Sequence, residues 1–178
     1  FNNRPRTDHE EIEKYHEGLI ACSACIAGEV PWNIRKGNID KAEEAIEWFK
    51  GLFGDDYYLE LQRHEVKDPM QRANRETYPL QEECNKVMIE LAKKHNVKLI
   101  CSNDVHFVDE ENAEAHDRLI CLSTGKDLDD PNRMLYSKQE WFKTQEEMNA
   151  IFSDVPEALS NTIEVLDKVG TYSIDQAP

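Results

Sequence analysis

Three short apolar runs, LIAC (residues 19–22), YYLELQ (57–62) and VKLIC (97–101), are separated by stretches whose apolar residues recur at helical spacing. That order constrains the chain more than any single residue does. Strand-type runs alternating with helices build βαβ units, and a helical crossover brings each new strand back parallel to the last. The runs are almost continuously apolar, as strands covered on both faces are. The pattern predicts an α/β fold with a parallel sheet, whose functional groups gather beyond the carboxyl ends of the strands. A hydrophobic content of 39% against 32% charged residues predicts an adequate core rather than a large one.

The intervening stretches carry start and stop signals. Thr7 or Asp8 can cap a short helix over HEEIEKYHE, and Gly18 closes it. SACIAGEVPW reads as a loop feeding a helical turn near Ile34. Asn38 or Asp40 opens a second helix, with Ile39, Ala42, Ile46 and Phe49 on one face and Gly54 at its end. YPLQEECNKVMIELAKKHN is amphipathic through Leu80, Cys84, Val87, Met88 and Leu91, with Asn96 as its cap. Further helices are predicted over about 110–122 with a stop at Gly125, from Gln145, and over 156–168. Residues 64–77 (HEVKDPMQRANRET) are polar and broken by Pro69, so they read as an excursion beside the end of the second strand, where function is often held.

Charge excludes one class of direct activity. Lys plus Arg number 21 against 36 Asp plus Glu, a net charge of -15 whose field repels phosphate. Nucleic-acid binding by counterion release needs clustered cations, and the Lys93, Lys94, His95 group is better explained as complementing a helix end. Contact with DNA is therefore expected through other parts of a parent protein or through bound metal. The chain opens FNNRPRTDHE, without Met, and stops at SIDQAP, which reads as a piece of something longer. No apolar run approaches the roughly 18 residues of a membrane span, and no secretory pattern precedes the first helix. Five scattered cysteines, an odd number, predict a soluble protein of a reducing cytoplasm.

Each apolar run delivers polar groups at its end: Cys22, Ser23, Cys25 and Glu29 after the first, Glu60, Gln62 and His64 after the second, Asn103, Asp104 and His106 after the third. In an extended strand i and i+2 point the same way, so Asp104 and His106 can converge and offer a carboxylate oxygen and an imidazole nitrogen to zinc, manganese or iron. The bland alternative is a loop cap beside a hydrogen-bonded histidine. Cys22 and Cys25 form a C-x-x-C, but a redox pair wants a helix N-terminus and a structural zinc site wants a second pair. Packing is the reading for Cys22, as a small buried hydrophobe, while Cys25 stands exposed at the strand end. By residue type His64 reads as a surface histidine, and His9, His16 and His95 as solvated.

GLIACSACIAGEVP, YYLELQRH, LICSNDVHFV and EAHDRLICLSTGKDLDD, in this order, resemble the PHP (polymerase and histidinol phosphatase) domain of bacterial DNA polymerase III alpha subunits. FKTQEEMNAIFSDVPEALSNTIEV is similar to the segment that leaves this domain, so the resemblance runs from about Pro5 to Val169. It implies a distorted (β/α)7 barrel whose C-terminal half spans 1–142, followed over 143–178 by a helical segment leading towards the polymerase region. It implies a divalent metal cluster, zinc or manganese, with Cys25, Asp104 and His106 as ligands, Glu29 and Glu60 beside them, and His64 acting on the phosphate or leaving group. His116 is expected to pack or cap.

The family's opening H-x-H and the Asp, His, Glu and His ligands after it have no counterpart in this sequence. The cluster is therefore expected to be absent or partial, and the piece alone inactive. Two functions follow from the resemblance: 3′ to 5′ exonucleolytic phosphodiester hydrolysis in a DNA-directed DNA polymerase, or a non-catalytic module that braces the polymerase and docks a separate proofreading exonuclease. A free-standing small-molecule phosphatase fits the metal corner but not the polymerase-like tail. The implied partners are the rest of the alpha subunit, DNA through it, and the exonuclease subunit, with no membrane. Open barrel edges predict self-association.

Overall fold

Tyr57–Leu61 forms the middle strand of a three-stranded parallel sheet, in a computed structural model that describes residues 6–68 and 70–173. Strand β1 (Ala21–Cys22) lies on one side of β2 (Tyr57–Leu61) and β3 (Lys98–Cys101) on the other, with Cys22 opposite Tyr58 and Leu61 opposite Cys101. The α/β class and the parallel pairing are as the run order requires. Pro5, Pro69 and the terminal residues 174–178 lie outside the described residues.

The first strand is shorter than its apolar run. The Leu19 amide is drawn into a turn by the carbonyl of His16, and the Leu19 side chain is left exposed. Cys22, expected to be buried, is exposed as well. The cause is its place on the outer strand, which pairs only with β2 among the described residues. By contrast β2 is buried at Tyr57, Tyr58, Leu59 and Leu61, as a strand with neighbours on both sides and cover on both faces should be.

Helix α1 (His9–Tyr15) is capped by Asp8, whose side chain accepts from the Glu11 amide. No residue of α1 is fully buried, and His9 at its start and His16 at its end pack on the rings of Trp48 and Phe53. His9 stacks on Trp48 with ring centroids 4.0 Å apart and meets Glu29 through Nε2 at 2.8 Å, while about half of its side chain stays exposed to solvent, as expected. Helices α2 (Glu29–Arg35) and α3 (Ile39–Phe53) carry the chain from β1 to β2. Helix α4 (Arg72–Glu76), inside the polar excursion, and α5 (Tyr78–His95) carry it to β3. Asn96 closes α5 in the left-handed region, φ 52°, as predicted. His95 is a further correction: it is enclosed between Glu43 and Glu47, at 3.4 and 3.5 Å.

A 3-10 turn over 110–112 leads into α6 (Ala113–Thr124), and α7 (Gln145–Ile151) and α8 (Pro156–Lys168) complete the chain. The residues from 143 onward, read as leading away, pack into the same core. Phe152, Val155 and Ala158 share one buried cluster with Ile46, Leu59, Leu61, Cys84 and Met88. Burying a phenylalanine such as Phe152 contributes about 1.5–3 kcal/mol. Helix α8 lies along β3: Asn161 Nδ2 donates to the Leu99 carbonyl at 2.7 Å, and Glu164 takes Lys98 Nζ at 2.7 Å and the Tyr58 hydroxyl at 2.6 Å. Among the described residues no helix is long and apolar enough to cross a membrane.

Candidate functional site

At the end of β1 the ladder runs one residue further, because the Ser23 amide donates to the Tyr58 carbonyl. The chain then reverses through Ala24, φ 60°, and the Gly28 amide closes the loop on the Cys25 carbonyl at 2.8 Å. A Cβ at residue 28 would lie 2.1 Å from the Ser23 carbonyl oxygen, so only glycine allows this approach. The turn leaves Cys25 half-buried above a small cavity bordered by Glu60, Gln62 and Gln81.

Of the two glutamates expected beside the site, Glu60 borders the cavity under Cys25 and both are held by hydrogen bonds to other side chains. Glu29 meets His9. Glu60 accepts from the Ser102 hydroxyl and from Gln62 Nε2, so it ties β2 to the end of β3.

After Cys101 the third strand does not continue extended. Asp104 adopts φ 47°, a left-handed conformation that Asp and Asn tolerate better than most residues. The i, i+2 alternation invoked for Asp104 and His106 therefore fails, and a turn brings them together instead. His106 Nδ1 lies 2.6 Å from the Asp104 carbonyl oxygen and 4.0 Å from its carboxylate. A contact that short to a carbonyl needs the proton on Nδ1, which leaves Nε2 as the basic nitrogen. Among the described residues nothing hydrogen-bonds to it.

The turn is held by a strap over 136–142. The His106 amide donates to the Glu140 carbonyl at 2.8 Å, Phe107 bridges Trp141, and Asn103 Nδ2 donates to the carbonyls of Gln139 and Trp141 at 2.9 and 2.7 Å. The Glu140 carboxylate is buried: Oε1 accepts from the Ser137 amide and hydroxyl, while Oε2 has no partner among the described residues. Burial lowers the Lys143 ammonium to about 8, against the opposing pull of Glu140, Glu147 and Glu110, with its Nζ 3.3 Å from the Trp141 ring centroid.

His64 is not on the surface. It is 3% exposed and clamped on every side. Gln81 accepts the His64 backbone N–H through Oε1, which turns its Nε2–H toward His64 Nδ1 at 2.9 Å. His64 Nε2 then donates to the Asn103 carbonyl at 3.1 Å. Burial pushes its pKa down, with Glu140, Asn103 and Asp104 opposing, so the ring is neutral at pH 7. Both nitrogens are occupied, and neither is open to a substrate.

Of the groups that surround His106, His116 packs as expected, while Tyr136 had no signal in the sequence. The His106 ring packs 4.5 Å from Tyr136 and 5.6 Å from His116, which are themselves 5.1 Å apart. Burial raises the pKa of the Tyr136 phenol, and the charges of Asp104, Glu140 and Cys25 act in the same direction. No spacing rule connects residue 136 to 106. Among the described residues no three His, Cys, Asp or Glu side chains gather closely enough to hold a metal ion, so Asp104 and His106 form a pair that Cys25 does not complete. The chemistry of the three, a carboxylate, a free imidazole nitrogen and a thiol, suits zinc, while manganese would favour the carboxylate over the thiol.

Residues 1–64 match the PHP domain family, a region that includes Cys25 and ends at His64. The DNA polymerase III subunit alpha of Borreliella burgdorferi is 40% identical over 175 residues, covering 98% of this chain and 14% of that protein. The subunit of the same name from Campylobacter jejuni is 38% identical, covering 92% of this chain and 14% of the relative, and that of Pseudomonas aeruginosa 36% identical, covering 96% and 14%. The chain thus spans about 14% of the length of these relatives.

Proposed function

The chain belongs to the PHP domain family in the form carried by DNA polymerase III alpha subunits, and we propose that it forms one wall of a divalent-metal site in such a subunit, serving 3′ to 5′ phosphodiester hydrolysis. Asp104 and His106 act as a ligand pair and Cys25 as a third donor from the end of β1. The remaining ligands come from outside this chain. The observation that carries the reading is the anchored imidazole of His106, with Nδ1–H held on the Asp104 carbonyl and Nε2 unengaged among the described residues; the Asp104 carboxylate lies 4.0 Å from Nδ1. Ligating histidines are fixed in this way, by a hydrogen bond from the nitrogen that does not bind metal.

A bound divalent ion supplies Lewis acidity toward a phosphodiester. The protein's own residues supply the frame. His64 is a pillar in this reading rather than a proton carrier, since its Nε2–H supports the Asn103 carbonyl directly before Asp104. A net charge of -15 leaves DNA contact to metal and to the rest of the subunit.

The alternative, a module that braces the polymerase and docks a separate exonuclease, is favoured by one observation: the described residues assemble a pair of ligands and not a set of three. Asp104→Asn in the full-length subunit separates the two. Asparagine tolerates the left-handed backbone and keeps the side-chain shape while removing the charge. The hydrolytic reading expects zinc or manganese affinity to fall at least about 10-fold, as for lesser disturbances of metal sites, and nuclease activity to fall with it. Reduced metal content with unchanged nuclease activity supports the bracing role. Unchanged metal content removes this corner from metal binding.

A further inference from the structure

His116 is an imidazole with no assigned task. It sits on α6, half-buried, and among the described residues no hydrogen bond reaches either ring nitrogen. Its contacts are rings: His106 at 5.6 Å, Tyr136 at 5.1 Å and Phe107 at 5.1 Å. Tyr136 lies closer still to His106, at 4.5 Å. The His106 ring therefore has one polar tether, through Nδ1, and two aromatic walls.

The walls are built by the fold. Arg133 makes a two-pronged pair with Asp117 of α6, at 2.6 and 2.8 Å, and both side chains are about nine-tenths buried. Arg72 of α4 holds the same loop through the carbonyls of Pro131 and Arg133, at 2.5 and 2.8 Å. On the other side of Tyr136, the Glu140 carboxylate fixes Ser137. Two arginines and a buried carboxylate thus hold the loop on either side of Tyr136, the tyrosine that packs on His106.

We propose that Tyr136 and His116 are positioning residues for His106: their rings hold its imidazole so that Nδ1–H stays on the Asp104 carbonyl and Nε2 stays turned outward as the donor nitrogen. The inference rests on the metal-site reading above for its purpose but not for its geometry. A single hydrogen bond to an exposed loop carbonyl leaves an imidazole free to rotate about its side-chain torsions, whereas tilted rings packed against it on two sides restrict that motion. A ligand fixed before the ion arrives loses less side-chain entropy on binding, which strengthens binding without any new contact.

The first measurement is the long-range nitrogen-15 spectrum of the histidine rings in the metal-free, 178-residue chain. The unaltered chain, Tyr136→Phe and His116→Phe should all show His106 as one neutral form protonated at Nδ1, because the ring contacts remain. Tyr136→Leu and His116→Leu should show a mixture of the two neutral tautomers, with the amide spectrum of the sheet unchanged. In the full-length subunit the two leucine variants should bind zinc about 10- to 100-fold more weakly, and the phenylalanine variants as the unaltered protein does. Leucine variants that keep both the tautomer and the affinity overturn the proposal, as do phenylalanine variants that lose them. If the unaltered subunit binds no zinc, the metal reading fails, and the imidazole spectra still decide the positioning.

Discussion

His64 shows how a burial decision at one residue becomes a property of the protein. Its neutral ring joins α5 to the loop after β3, accepting from Gln81 and donating to Asn103. Burial holds its pKa below the unfolded value of about 6.5. Below that pH the unfolded chain takes up the proton more readily than the native one, so stability is complete above about 6.5 and declines as the pH falls toward the native pKa. Urea unfolding at pH 7.5, 6.5 and 5.5 should show this decline, and His64→Gln should flatten it relative to the unaltered chain. His64→Ala should cost about 1–3 kcal/mol at pH 7.5, since it strands the Gln81 amide and the Asn103 carbonyl. A slope identical in both chains assigns the titration to other histidines.

None of this was legible in the sequence, where His64 opens a polar stretch; its partners lie 17 and 39 residues further on. The Asp104 and His106 pair was legible for the wrong reason. The spacing suggested a continuing strand, whereas the tolerance of aspartate for a positive φ is what allows the turn.

Among the elements, the helices were the most readable because they carry their punctuation with them. Gly54 and Gly125 end α3 and α6 with positive φ, and Asn96 ends α5 the same way. A reciprocal Thr144 and Glu147 cap opens α7. The extent of β1 and the docking of α8 were not readable, because both depend on which neighbour is present. Helix α8 replaces a fourth strand along β3: Asn161 satisfies the Leu99 carbonyl, and Glu164 gathers Lys98, Tyr58 and Lys168. Asn161→Leu should therefore cost about 1–2 kcal/mol, by leaving a buried strand carbonyl without its donor. Phe152→Ala should cost about 3–5 kcal/mol, by opening a void in the shared core. Hydrogen exchange gives the local test: Asn161→Leu should speed exchange at the β3 amides before those of α2. A uniform acceleration would mean that α8 supports the whole fold and not β3 in particular.

For the whole molecule two features act against each other. Leu119 and Leu122 on α6 and Leu128 just beyond it are 62%, 80% and 47% exposed, and Leu122 and Leu128 line one open depression with Cys121. Apolar side chains grouped in this way favour association. A net charge of -15 on each copy opposes it. Salt decides between them, because the screening length is about 30 Å at 0.01 M and about 3 Å at 1 M, while apolar attraction needs no charge. Sedimentation should find a monomer at about 0.01 M salt and a concentration-dependent dimer at about 1 M. Leu122→Glu should abolish the dimer by placing a further carboxylate in the apolar patch, with no change in the unfolding midpoint, since Leu122 is largely in water. A chain that stays monomeric at every salt concentration would show the patch too small to hold two copies together. A dimer indifferent to Leu122→Glu would move the contact elsewhere, with the outer edge of β1, unpaired among the described residues and beside exposed Leu19, as the surface to alter next.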